Sequence, residues 1–169
     1  MGITGAYFVE RDNLQQILNG DAGQPDLDID KAWSLIAAMF PDIPLVPVTS
    51  TYHVESTLTE LGTFYLSAEQ VAHMAEKLPE LKETASLQER IHFEDWKHRS
   101  THMGEHLDHP GSADRLEDMA QVMPLMFTIH EEETYEDIVE GYLLPYLDEV
   151  FTLFEQAAAE RAGIVFAIF

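Results

Sequence analysis

The stretch YEDIVEGYLLPYLDEVFTLFEQAAAERAGIVFAIF, residues 135–169, decides the fold. Within it Tyr135, Ile138, Val139, Tyr142, Leu143, Tyr146, Leu147, Val150, Phe151, Phe154, Ala157 and Ala158 recur three and four residues apart. That spacing lines apolar side chains along one face of an α-helix. Pro145 has no N–H to give and crowds the carbonyl of Gly141, so a kink is expected there. Gly163 is placed as the cap that closes the helix. Residues 164–169 then read as a last strand, apolar at every position and therefore buried on both faces of a sheet. An unpaired apolar strand is an aggregation hazard, which argues that this one lies inside the sheet. A long amphipathic helix that feeds such a strand implies helices packed on a sheet. The expected class is α/β, with α+β as the alternative: one compact domain over residues 1–169, a small mixed sheet flanked by helices, the long kinked helix and the final buried strand.

The rest of the chain supplies the partners for that strand. Ile3-Thr4-Gly5-Ala6-Tyr7-Phe8-Val9 is a short apolar and aromatic run, the mark of another buried strand. A helix follows with Asp12 as its cap, Leu14, Ile17 and Leu18 as its apolar stripe, and Gly20 as its stop. A second helix begins near Asp28 or Asp30, carries Ile29, Trp33, Ile36 and Phe40 on one face, and halts at Pro41. Pro41, Pro44 and Pro47 alternate with apolar residues, which suggests an extended edge segment. Phe64-Tyr65-Leu66 is a short strand that runs into Ser67-Ala68-Glu69-Gln70, a capping box, with Leu66 able to staple onto Val71. Val71, Met74, Ala75 and Leu78 face the core, and Pro79 ends or restarts that helix. A further helix is expected after Ser112 or Asp114, halted by Pro124.

Four of these segments together resemble the YfbM-like family of uncharacterised bacterial proteins, a group defined as a domain of unknown function. They are Met1-Gly2-Ile3-Thr4-Gly5, Leu27-Asp28-Ile29-Asp30-Lys31-Ala32-Trp33, Phe64-Tyr65-Leu66-Ser67-Ala68-Glu69-Gln70-Val71 and Tyr142-Leu143-Leu144-Pro145-Tyr146. The resemblance implies a small α/β fold with helices around a modest sheet, and it carries no activity with it. The chain departs from the family pattern between Ile91 and Pro124, where it is longer and rich in histidine.

Charge narrows the functions available. Asp and Glu number 31 against 9 Lys and Arg, a formal net charge of −22. Phosphate backbones and anionic membranes are repelled by such a surface, so neither nucleic acid bound through a basic face nor a membrane is an expected partner. A cationic protein is the partner that electrostatics allows, although a high negative charge also serves solubility alone. Cysteine is absent, which removes disulfides, thiolate nucleophiles and Cys-ligated metals. No basic n-region with a long apolar core is visible, and no apolar run approaches the ~20 residues that span a bilayer, so the cytoplasm is the expected compartment.

Catalytic motifs are equally sparse. The chain has no phosphate-cradling G-x-x-x-x-G-K-[ST], no G-x-G-x-x-G and no G-x-S-x-G. His130-Glu131-Glu132-Glu133-Thr134 lacks the second histidine that would complete a zinc-protease face, because Thr134 stands there. Five of the eight histidines fall between His92 and His109. On a helix His98, His102, His106 and His109 share one sector of about 80°, with Trp96, Met103 and Leu107 opposite. Imidazoles spaced i, i+4 chelate zinc or nickel, whereas the plain alternative is a solvated helix face. The acidic clusters are Asp26, Asp28 and Asp30, then Glu131 to Glu133, then Asp148 and Glu149. Asp28 and Asp30 read as helix-capping and first-turn residues favoured by the dipole, and Tyr135, Tyr142 and Tyr146 as core in preference to a ligand cage.

These observations lead to an expected function without chemistry: a non-catalytic acidic interaction protein, such as an inhibitor or immunity-type partner of a cationic protein, with no cofactor. The alternative is a metal-binding protein or metal-dependent enzyme that uses residues 92–109.

Overall fold

The computed structural model describes residues 4–11, 14–40, 46–47, 62–101 and 127–168. Strand β1 (Gly5–Val9) leads to helix α1 (Leu14–Leu18) and to the two-residue strand β2 (Leu27–Asp28). A 3₁₀ turn over Asp30–Ala32 opens α2 (Trp33–Met39). The short β3 (Val46–Pro47) and β4 (Thr63–Leu66) come next, followed by α3 (Ala68–Leu81), α4 (Thr84–Arg90) and α5 (Phe93–Thr101). The chain ends with a π-helical segment, Glu136–Leu143, continuous with α6 (Leu144–Ala159), and with β5 (Ile164–Ile168).

The five strands form one sheet in the order β2-β1-β5-β4-β3. The last strand is therefore central, paired with β1 from Gly5↔Ile168 to Val9↔Ile164 and with β4 from Thr63↔Ala167 to Leu66↔Ile164. All four pairings among the described strands are antiparallel, where a mixed sheet was expected. After α1 the chain returns as β2 antiparallel to β1, and after α3 to α6 it returns as β5 antiparallel to β4, which is the α+β arrangement.

The strands explain why both faces are apolar. Along β5, Ile164, Phe166 and Ile168 enter the large core, and Val165 and Ala167 enter a smaller cluster on the other face. Along β1, Tyr7 and Val9 point to the first, and Ala6 and Phe8 to the second. Successive side chains of a strand alternate faces, so a strand covered on both sides needs no polar positions. Helix α1 covers the small cluster with Leu14, Ile17 and Leu18. Helices α2, α3 and α6 cover the large one, where Tyr7, Phe64, Phe154 and Phe166 pack ring against ring.

The ends of the helices follow their local chemistry, with two corrections. Ser67 accepts from the Gln70 N–H at 3.2 Å and the Gln70 side chain accepts from the Ser67 N–H at 2.9 Å, the capping box expected. Helix α3 runs through Pro79 to Leu81 rather than stopping there, since a proline in the last turn removes little of the ladder. At the end of α6 the left-handed residue is Arg161, at φ 55, and not Gly163. The Ala162 N–H bonds to Ala157 O and the Arg161 N–H to Ala158 O, the paired bonds of a Schellman cap. Gly163 is instead required by close packing. A Cβ on it would lie 2.7 Å from Glu10 Oε2, 2.7 Å from Leu66 O and 2.8 Å from the Tyr65 hydroxyl.

The cap at Asp12, most of the proline-rich stretch 41–62, and the helix after Ser112 or Asp114 lie outside the described residues.

Candidate functional site

The conformation of Asp30 organises the region of most interest. Its backbone is left-handed, at φ 47, a conformation that costs an L-residue about 1–2 kcal/mol. The carboxylate of Asp28 accepts the Asp30 N–H at 2.8 Å and holds the turn. Ile29 then bonds through its N–H to Gly5 O at 2.9 Å, and Trp33 lies so close over Gly5 that a Cβ there would be 2.6 Å from the Trp33 Cβ. Asp30 takes the first-turn position expected of it, but neither Asp28 nor Asp30 caps the helix. Residue Ile29 precedes the 3₁₀ turn with no side-chain cap, and Asp30 turns its carboxylate outward to a different element.

That element is the last helix. Tyr142 donates its hydroxyl to Asp30 Oδ2 at 2.8 Å and accepts from the backbone of Lys31. Tyr146 stands against it with ring centroids 5.2 Å apart, edge to face, and Phe127 packs on the other side at 5.5 Å. Tyr142 and Tyr146 are half-buried and pack against the large core, as their periodicity suggests, whereas Tyr135 is exposed. Burial raises the Tyr142 phenol, and the hydrogen bond and charge of Asp30 raise it further. Tyr146 is raised by burial and then by the fields of Asp30, Asp28 and Glu149. One carboxylate, Asp30, is thus bonded to Tyr142, and the charges of Asp30, Asp28 and Glu149 act on Tyr146 beside it.

The acidity is one-sided along the last helix, whereas on the other element Lys31 is exposed directly after Asp30. From Leu116 to Glu160 the chain contains no Lys or Arg. In the described part of that stretch Glu131, Glu132, Glu136, Asp137, Glu140, Asp148 and Glu149 are all exposed. Several of the cations described elsewhere are engaged. Arg11 donates to Asp26 at 2.5 Å and Glu160 at 3.0 Å, Lys82 pairs with Glu155, and Arg99 pairs with Asp95 at 2.9 Å. Lys97 caps the carbonyls of Glu131 and Glu133, at 2.6 and 2.7 Å. In the turn it holds, the His130 N–H donates to Glu133, which is a structural use of the His130–Thr134 run.

A second polar region lies at the far end of β1. Tyr65 donates to Glu10 at 2.5 Å, and the Asp26 carboxylate accepts the Val9 N–H at 2.7 Å as well as Arg11. An open cleft of about 210 Å³ beside it is lined by Phe8, Arg11, Gln16, Ile17, Gln24 and Asp26. The guanidinium and the carboxylate there already neutralise one another.

The histidine set is only partly placed. His98 is exposed near the end of α5, opposite the buried Trp96 as its spacing requires. His102, His106 and His109 lie outside the described residues. Among the described residues no group of three or more His, Cys, Asp or Glu side chains is arranged to hold a metal ion. Among those same residues no helix is long and apolar enough to cross a membrane.

No family model matches the chain, and neither does any curated protein or solved structure.

Sequence reasoning weighs Tyr142 and Tyr146 as a ligand cage but assigns them to the core, because their i, i+4 spacing is the spacing of core residues. It misses the Asp30 turn because a left-handed Asp carries no periodic signal. The one available clue is the Leu27-Asp28-Ile29-Asp30 alternation, which reads as an edge strand running into a turn as readily as a helix start.

Proposed function

We propose that the protein is a non-catalytic acidic binding protein that receives a cationic group of a partner protein on the surface formed by Asp28, Asp30, Tyr142, Tyr146 and Glu149. The observation that carries this reading is the juxtaposition of carboxylates and tyrosine rings at one point. Carboxylates attract a guanidinium or ammonium from a distance, and an aromatic face holds it at contact through its quadrupole. Neither group alone discriminates among cations; together they favour arginine, whose flat guanidinium stacks and bonds at once. The absence of Lys and Arg from Leu116 to Glu160 extends the attractive field along the helix that bears the tyrosines. The partner is a cationic protein in the cytoplasm, and neither nucleic acid nor an anionic membrane suits this surface. Kinship with the YfbM-like family belongs to the same reading. What supports it is that three of the four resembling segments meet here, through the Ile29–Gly5 and Tyr142–Asp30 bonds.

Calorimetric titration with a tetra-arginine peptide tests the proposal, with tetra-glutamine as the neutral control. Binding of the cationic peptide alone, weakening as salt is raised, is the expected result. Equal heats for the two peptides would remove the basis of the reading.

A further inference from the structure

The last helix holds a conflict between its sequence and its winding. Ile138, Val139, Tyr142, Leu143, Tyr146 and Leu147 keep the rhythm of an α-helix, yet Glu136–Leu143 is wound as a π-helix. The Ile138 N–H at the entry bonds to Thr134 O, four residues back, at 3.1 Å. At the exit the Leu144 N–H reaches Val139 O, five residues back. A π winding is rare beyond a single turn and concentrates at functional sites, because it is less favourable than the α-helix it replaces. The residues it carries would also share one face in the α winding, so the tighter form is an available alternative for the same core contacts.

Two features hold the wider form. Pro145 stands at the second position of α6, and in an unbroken α-helix its ring would press on the Gly141 carbonyl. The wider turn relieves that pressure. The second feature is tertiary: the Tyr142 hydroxyl is fastened to Asp30, whose own backbone is held left-handed by the Asp28 carboxylate. Rewinding residues 136–143 would rotate Tyr142 about the helix axis and break this bond. Both ends of the contact are thus in conformations that local preference opposes, the arrangement expected of a two-state element and not of a passive strut.

We infer that residues 136–143 are a two-register segment, latched in the π winding by the Tyr142–Asp30 hydrogen bond and rewound to α when that bond is cut. Resting on the cation-binding reading above, a guanidinium that takes the Asp30 carboxylate competes with the Tyr142 hydroxyl and opens the latch. Occupancy of the surface is then converted into a rotation of the helix that displays Glu136, Asp137 and Glu140.

Scalar couplings across hydrogen bonds, measured by NMR on isotope-labelled full-length protein, report each amide's acceptor directly. In the unsubstituted protein the Leu144 amide couples to the Val139 carbonyl. In Tyr142→Phe the coupling moves to the Glu140 carbonyl, four residues back, and Pro145→Ala shows the same move by removing the other restraint. A Leu144–Val139 coupling retained in Tyr142→Phe overturns the latch. Should that variant lose its dispersed spectrum, Asp30→Gly cuts the same bond from the other side, keeps a residue that accepts the left-handed turn, and is judged by the same coupling. Titration of the unsubstituted protein with tetra-arginine forms the second arm, and the same move is expected. Binding without the move overturns the coupling to ligand. An absence of binding, with the move present in Tyr142→Phe, defeats the cation-binding reading and leaves the latch standing.

Discussion

The Tyr142 hydroxyl donates to the Asp30 carboxylate at 2.8 Å across 112 positions of chain, and it ties the last helix to the turn that enters α2. A hydrogen bond to a charged acceptor contributes more than a neutral one, and partial exposure brings it down toward the ordinary range. Tyr142→Phe is therefore expected to cost about 1–2 kcal/mol in urea unfolding. An unchanged midpoint would show that water replaces the hydroxyl without loss.

Alkaline pH acts on the same contact. Tyr142 and the deeply buried Tyr7 both have phenols raised above the ordinary value of 10.0, Tyr7 by burial alone and Tyr142 by burial followed by Asp30. Below that value both contributions to stability are fully present. Above it the unfolded chain releases these protons while the native chain keeps them, so stability falls as pH rises. Urea unfolding followed upward from pH 10 should show this loss, and Tyr142→Phe should flatten it. A variant curve parallel to the parent would contradict the assignment.

Acid acts on Asp137. Its carboxyl is held below the usual range by hydrogen bonds from the Thr134 backbone N–H, at 2.9 Å, and the Thr134 hydroxyl, at 2.7 Å. A depressed carboxyl stabilises the fold above its unfolded value, and the contribution is lost as pH falls through the folded one. Asp137→Asn should make the acid limb of the stability curve shallower, which thermal melts across the carboxylate range would detect.

The close packing at Gly163 makes it intolerant of any side chain. Its missing Cβ faces two backbone or fixed oxygens of β4 and the Glu10 carboxylate, all under 3.0 Å. Gly163→Ala should lose roughly 2–3 kcal/mol through overpacking of the sheet. Arg161→Gly should gain about 0.5–1 kcal/mol, because glycine takes the left-handed cap without strain. Opposite signs two residues apart in chemical denaturation would separate the cap from the packing site.

Much of the architecture is legible in residues 135–169. The uninterrupted apolar run after Gly163 places β5 at the centre of the sheet, and Ser67 with Gln70 marks the start of α3. Strand direction is not legible, since a doubly buried strand reads the same whether its neighbours run with it or against it. The π winding is hidden because Ile138, Val139, Tyr142 and Leu143 satisfy an α periodicity equally well. The site is hidden for a related reason: Tyr142 and Tyr146 keep core spacing while the Tyr142 hydroxyl reaches past the core to Asp30. The histidines stand out in the sequence, but of the set at 98, 102, 106 and 109 only His98 lies among the described residues.

The central claim is that a local arrangement, and not net charge alone, binds the cation. Tetra-arginine affinity should be compared across the parent, Asp28→Asn/Glu149→Gln at the tyrosine cluster, and Glu76→Gln/Glu80→Gln on α3, which removes the same charge elsewhere. The account predicts a loss of roughly tenfold or more, equivalent to about 1.4 kcal/mol, confined to the first pair. Equal weakening by both pairs would contradict it.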